Sequence, residues 1–411
     1  MGLDSMSAWG LFSFLSRRIA FAAVGFGAQL FLFRCIWNSL DPRIREKVRF
    51  LFWGLFAVSN LPYVFIFADW FFGLLLPSWM YRTIVFPFTA WQAAGLVSGL
   101  FLGSAYFALF VVRLGKGKQE EGTVDLKGSM DRGAKFIPDR NRRRFLAGAA
   151  SGVGAGALLV AARGLGHGDA EPVVTKIEIP IDGLDPKLDG FRIVQITDIH
   201  TGYFYDVSKL EKLARLSNSL DPHLVALTGD QVHGFHPGFV SDLARGLRGL
   251  RARRGVASVL GNHDRLPGRE KVVSEMEKAG WEVLQDRSVL LSYRGASLNL
   301  AGIRDWGDRP DLCKAIASCN PHHPTVLLSH RPDVFDEAAG RRVDLVLAGH
   351  THGGQVAVPG FNPAGWFVPY LHGLYSKGKT RMYVCAGVGL TGPPLRFGVP
   401  PELALVVLVK N

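Results

Sequence analysis

Five short apolar runs between residues 191 and 352 each end in a cluster of Asp, His or Asn, and this recurrence restricts the fold more than any other feature. "FRIVQITDIH" ends in Asp198 and His200, and "HLVALTGD" ends in Asp230. "ASVLGNHD" ends in Asn262, His263 and Asp264; "PTVLLSH" ends in His330; "DLVLAGHTH" ends in His350 and His352. Short runs this rich in Val, Leu and Ile read as buried strands. Stretches such as "VSKLEKLARLSNSL" and "REKVVSEMEKAG" separate several of them and read as helices. Strands alternating with helices predict an α/β fold whose chemistry sits where loops leave the strand ends. In an extended segment residues i and i+2 point the same way, so His350 and His352 present two imidazoles toward one point. Gly353 and Gly354 let the backbone turn close beside it. Neutral imidazoles aimed at one spot suit a metal ion. Any one cluster is equally a turn after a strand; five in one chain point to a shared site.

In order, D-x-H, G-D, G-N-H-D, H and G-H-x-H resemble the calcineurin-like metallophosphoesterase family over about residues 175–411. The resemblance implies a four-layer α-β-β-α sandwich with two mixed sheets. It implies two divalent ions: Asp198, His200 and His352 on the first, Asn262, His330 and His350 on the second, and Asp230 bridging both. His/Asp/Asn ligation suits Mn, Zn or Fe and does not choose among them. Physical chemistry agrees with such a site. Two cations about 3.5–4 Å apart repel, so a shared carboxylate belongs between them, and together they activate water and neutralise phosphoryl charge. His263 follows Asn262 directly and is expected at the rim, either to protonate the leaving oxygen or to stabilise the transition-state charge. Asp264 is expected to orient His263 by accepting its other N–H. One position departs from the family pattern: His233 stands where an aspartate is common, and is expected to tune metal affinity.

The stretch "YVCAGVGLTGPPLRFGVPPELALVVL" resembles the membrane-associated phosphodiesterase branch of that family, and its Arg396 is expected either to reach a substrate phosphate or to form a salt bridge. After the His350–His352 motif, "FNPAGWFVPYLHGLYSKG" is expected to expose Phe361, Trp366, Phe367, Tyr370 and Tyr375 to a bilayer interface or lipid chain, or to pack them in the core. In "RGLRGLRARRG", Arg245, Arg248 and Arg251 are expected near one helical face.

Charge and hydropathy divide the chain. Residues 1–170 carry 19 Lys and Arg against 10 Asp and Glu, whereas residues 171–411 carry 28 against 25. A nucleic-acid binder would put its basic excess on the folded domain; here it accompanies apolar runs, so the pattern reads as membrane topology and no nucleic-acid partner is expected. Runs beginning at Ile19, Phe50 and Phe88 predict about three transmembrane helices within residues 1–112. The stretch "DWFFGLLLPSWMYRTIVFP" between the last two reads as interfacial, with another short span as the alternative. The Trp37–Arg49 connection holds four basic residues and residues 113–144 hold ten, so both are expected to be cytoplasmic. "RRRFLAG" resembles a twin-arginine export signal at Arg142 and Arg143, with the alternative of an ordinary fourth span over residues 145–170. Either sends a metallophosphoesterase domain at residues 171–411 to the extracytoplasmic side. Four cysteines form no disulfide framework; Cys313 and Cys319 are close enough to pair, and Cys385 reads as a buried thiol. The expectation is a membrane-tethered phosphodiesterase acting on a phosphoester, of lipid-linked or cell-envelope type. A nucleotide-sugar pyrophosphatase of lipid biosynthesis and a non-catalytic membrane sensor are the alternatives.

Overall fold

The computed structural model describes residues 8–65, 77–85, 87, 88, 91, 92, 95, 99 and 170–411, apart from 306–309, 359 and 393–395. The chain divides into two compact units between Arg163 and Gly164. In the N-terminal unit, helix α1 spans Ala8–Ser39 and α2 spans Pro42–Asn60. The Trp37–Arg49 stretch, expected as a connection, is helical on both sides of a short break. Asp41 accepts the Arg43 amide at 2.9 Å and Pro42 follows it, so α2 begins there and takes Arg43, Arg45, Lys47 and Arg49 into its first turns. Among the described residues one helix, Pro42–Phe65, is long and apolar enough to cross a membrane, by length and composition. The two helices pack through Phe33 against Phe56, with centroids 4.9 Å apart, and through Tyr63, whose hydroxyl donates to the Ala22 carbonyl at 3.2 Å. Where described, the segment read as interfacial forms helical turns at Ser78–Met80 and Tyr81–Val85. The run from Phe88 lies mostly outside the described residues; the linker at 113–144 and the twin-arginine-like segment up to residue 169 lie wholly outside them.

In the other unit, alternation along each strand builds the layers. One six-stranded sheet has the order β1-β12-β2-β3-β4-β5. Its strands are β1 (Val173–Ile181), β2 (Phe191–Ile196), β3 (Leu224–Thr228), β4 (Val256–Val259), β5 (Glu282–Val283) and β12 (Glu402–Lys410). The second sheet has the order β10-β11-β9-β8-β7-β6, from β6 (Arg287–Tyr293), β7 (Ala296–Gly302), β8 (Thr325–Leu328), β9 (Leu345–Ala348), β10 (Gly373–Lys377) and β11 (Thr380–Val384). Both sheets are mixed: β2 to β5 run parallel while β12 pairs antiparallel with β2, and β7, β8, β9 and β11 run parallel between antiparallel edges.

Phe191 and Ile193 face the other sheet, meeting Leu300, Leu328 and Leu347 in one buried layer. Val194 and Ile196 face away, onto helices α3 (Val207–Ser219), α4 (Gly238–Gly246) and α5 (Arg269–Lys278). On the far side Leu327 and Val346 meet Leu312 of α6 (Leu312–Ile316) and Phe335 of α7 (Phe335–Ala338). Two sheets between two helical layers result, as expected for the α-β-β-α sandwich. These three layers of apolar side chains leave the parallel strand ends free to carry polar groups.

Two local expectations are corrected. Helix α4 stops at Gly246, which backs onto Leu210 without room for a side chain. Leu247 and Leu250 then turn inward, so Arg248 and Arg251 are exposed beyond the helix and share no helical face with Arg245. All four cysteines are free thiols. Cys313 faces outward from α6, whereas Cys319 packs half-buried among the apolar side chains beneath it.

Candidate metal centre

The polar clusters at the strand ends converge. Of nine non-glycine residues with positive φ among the described residues, five are expected ligands: Asp198, His200, Asp230, His350 and His352, with φ between 49° and 73°. A left-handed turn directly after a strand is unfavourable for a side-chain-bearing residue. Its recurrence here swings the carboxylates and imidazoles back over the sheet ends. Backbones also come close: a Cβ on Gly261 would collide with the Asp230 carboxylate, and one on Gly349 with Thr197 and Asp198. Glycine before Asn262 and before His350 is therefore a packing requirement.

Two trios assemble. In the first, His200 Nε2 and His352 Nε2 lie 3.1 Å apart and Asp198 Oδ1 is 3.3 Å from His352 Nε2. In the second, His330 Nε2 lies 3.1 Å from His350 Nδ1 and 3.3 Å from Asp230 Oδ2. Asp230 Oδ2 is also 3.6 Å from His200 Nε2, so one carboxylate oxygen faces both trios. The ligand atoms within each trio lie within 4.8 Å of one another. Asn262 stands beside them, half-buried.

The donor set suits cations. Asp198 Oδ2 accepts Thr197 Oγ1 at 2.8 Å and the His350 amide at 2.9 Å, while Oδ1 is buried with no hydrogen-bond partner. A buried carboxylate oxygen facing imidazole nitrogens is costly unless a cation satisfies it. Burial pushes His200 and His352 well below the ordinary imidazole pKa and His350 down to about 3, so these three keep lone pairs available. For His330 burial works the same way, but the Asp230 carboxylate outweighs it and raises the imidazole to about 10. Burial likewise pushes Asp198 up to about 6.

His263 sits half-buried at the rim, its ring 4.7 Å from that of His200 and stacked on His233 at 5.7 Å. His233 Nδ1 is 3.4 Å from His200 Nδ1, on the side of the ring away from the trio, where it can orient a ligand. Asp264 does not play the part expected of it. Its Oδ1 accepts the Val232 amide at 3.0 Å and its Oδ2 the Gly261 amide at 2.8 Å, so the carboxylate ties the β3 loop to the β4 loop.

Arg396 is also corrected. It is fully buried, and its Nη2 donates to the carbonyls of Ala386, Gly387 and Gly389 at 2.9, 2.9 and 2.8 Å. The same nitrogen lies 3.4 Å from His352 Nδ1. Three carbonyls turned inward, rather than a phosphate or a carboxylate, hold this guanidinium. Nearby, Glu402 accepts Tyr383 Oη at 2.5 Å, the Ala386 amide at 2.7 Å and His372 Nε2 at 2.9 Å, fixing the same loop from the other side. In the aromatic loop, Phe361, Trp366 and Phe367 are exposed as expected, Phe367 at 83%. Tyr370 and Tyr375 instead pack half-buried near Phe335.

Sequence reading missed Arg331. Its Nε donates to Asp305 Oδ1 at 2.8 Å, its Nη1 lies 3.0 Å from His350 Nε2, and its Nη2 donates to Asn262 Oδ1 at 3.3 Å. The signal available was position: Arg331 follows His330 as His263 follows Asn262.

Residues 191–354 match the family model for calcineurin-like phosphoesterases. A Bos taurus protein named "Transmembrane protein with metallophosphoesterase domain" is 31% identical over 264 residues, 60% of this chain and 59% of its own length. An uncharacterized metallophosphoesterase of Helicobacter pylori is 33% identical over 262 residues, covering 61% of this chain and 67% of its own. The uncharacterized metallophosphoesterase YkuE of Bacillus subtilis is 32% identical over 284 residues, 65% of this chain and 97% of its own. The chain thus spans less than two thirds of the bovine relative and nearly all of the Bacillus one.

Proposed function

Since the chain belongs to the calcineurin-like metallophosphoesterase family, we propose that it is a membrane-tethered phosphodiesterase working with two divalent ions. The observation that carries this is Asp230 Oδ2, 3.6 Å from His200 Nε2 and 3.3 Å from His330 Nε2. A carboxylate shared between two nitrogen-rich trios is what a pair of like charges requires. Asp198, His200 and His352 hold one ion; His330, His350 and Asn262 hold the other. The ions, Mn, Zn or Fe, supply Lewis acidity and an activated water when bound. His263, at the rim and backed by His200 and His233, protonates the leaving oxygen.

A relative named as a transmembrane protein and the apolar helix Pro42–Phe65 point to membrane association. We extend this to a multi-pass anchor with the catalytic domain at residues 171–411 on the extracytoplasmic side, supported by the basic residues at 43–49 and 113–144. Exposed Phe361, Trp366 and Phe367, close in sequence to His352, support a lipid-linked or cell-envelope phosphoester as substrate.

The test uses the full chain in detergent, stripped of metal and reloaded with Mn or Zn. An aryl phosphodiester, an aryl monoester and a phospholipid in mixed micelles are assayed in parallel. Metal-restored hydrolysis with preference for diesters is expected. Activity that survives thorough chelation would sink the two-ion mechanism, and metal binding without turnover of any substrate would favour the sensor. A reporter fused after Asn411 that faces the cytoplasm would overturn the proposed orientation and revive the nucleotide-sugar reading.

A further inference from the structure

Arg331 is anchored at one end, while its other end rests on residues with another task. Asp305, only 4% exposed, holds Nε at 2.8 Å and keeps a second buried oxygen without a hydrogen-bond partner. The Nη edge reaches His350 Nε2 at 3.0 Å and Asn262 Oδ1 at 3.3 Å. Both contacts fall on the ligands proposed for the second ion. Asn262 offers a cation its Oδ1, the same oxygen that Nη2 occupies, so Arg331 competes with the second ion for that ligand. The guanidinium also brings a positive charge to 3.0 Å from His350 Nε2, which opposes a cation held by the same residues.

We propose that Arg331 is a substrate-phosphate residue. Its Nη edge occupies His350 and Asn262 until the second ion loads, and is then released toward the phosphoryl oxygens. This rests on the two-ion reading above. Anchoring through Nε leaves two parallel N–H groups on the Nη edge, the arrangement that pairs with two oxygens of one phosphate. The side chain as a whole is 29% exposed, so it is not sealed in the core. Before phosphate arrives, the same positive charge opposes the ion. Metal and phosphate are therefore affected in opposite senses by one side chain.

Arg331→Ala and Arg331→Lys in the full detergent-solubilised chain test this, read by titration calorimetry of the metal-free protein with Zn and of the Zn-loaded protein with inorganic phosphate. Arg331→Ala should bind the second Zn equivalent about tenfold tighter, because a competing hydrogen bond and a like charge are gone. Phosphate should bind at least about tenfold more weakly, and in turnover the loss should fall on KM more than on kcat. Arg331→Lys, which keeps the charge without the paired edge, should restore only part of the phosphate affinity. Unfolding midpoints of the metal-free variants check integrity, and if the alanine variant is damaged the lysine variant carries the comparison. A fall in both affinities would mark a structural role, and no change in either would equally overturn the proposal. A wild-type chain that binds fewer than two equivalents of Zn would instead overturn the two-ion reading beneath it.

Discussion

Replacing Arg396 by Met should damage the fold and the first trio together. The guanidinium is fully buried, and the two hydrogens of its Nη2 are shared among three carbonyls at 2.8–2.9 Å. A hydrogen bond to a charged group contributes about 1.5–3 kcal/mol, and a buried carbonyl left unpaired costs about 1–3 kcal/mol. The three bonds share one nitrogen and do not add fully, so the expected loss is about 3–5 kcal/mol. Against a typical total of about 5–15 kcal/mol that is a large fraction. The segment holding those carbonyls also packs on the site, since a side chain at Gly387 would strike Asp198 and one at Gly389 would strike the Ile199 carbonyl. Loosening it should cost metal as well as stability. Lysine, with a single head group, should recover part of both. Denaturant unfolding of the metal-free chain and metal content of the reloaded chain measure the two effects. A methionine variant that unfolds within about 1 kcal/mol of wild type, retains its metal and shows only a raised KM would refute this account. It would return Arg396 to the substrate.

Three further outcomes are expected. Asp230→Asn should lose metal from both trios, whereas His263→Ala should keep its metal and lose about 10²–10⁴ in turnover; equal metal loss in both variants would show that the roles are not separate. Metal binding near neutral pH should expel the proton that Asp230 holds on His330, raised to about 10 in the metal-free site, so affinity should climb with pH and the calorimetric heat should vary with the buffer. Burial would raise the Glu402 carboxyl, but hydrogen bonds from His372, Tyr383 and the Ala386 amide outweigh it and bring it down to about 2 from 4.5. The stability it contributes is present above pH 4.5 and disappears as pH falls toward 2. Glu402→Gln should therefore cost about 3 kcal/mol at pH 7, and unfolding curves of variant and wild type should converge in acid.

Local pattern carried much of this molecule. The runs before Asp198, Asp230, Asn262, His330 and His350 are β2, β3, β4, β8 and β9, and their polar ends meet because parallel strands put their C-terminal ends on one edge. Features set by distant partners were not legible. Arg396 and Asp264 carry side chains that suit catalysis, yet backbone carbonyls and amides brought there by the fold hold both groups in place. Arg331 looks like any surface arginine until Asp305, 26 residues upstream, is seen to hold it. The end of α4 depended on Leu210, a neighbour from another helix that no local periodicity reports. Asp41 and Pro42 were a local signal for a helix start, and the apolar count around them concealed it.

Strand β12 lies between β1 and β2, with Val406 opposite Ile177 on one side and Ile193 on the other. A ribosome must therefore make residues 402–410 before the first sheet can close, although its neighbouring strands emerged some two hundred residues earlier. Until then β1 and β2 each present an unsatisfied edge, a template for pairing with the wrong chain. Glu402, at the start of β12, also fastens Tyr383 and Ala386 of the other half. A strand made long after its two neighbours thus closes the first sheet and, through Glu402, steadies the loop beneath His352, so the order of the metal centre depends on a late-made segment more than a hundred residues beyond the first ligands.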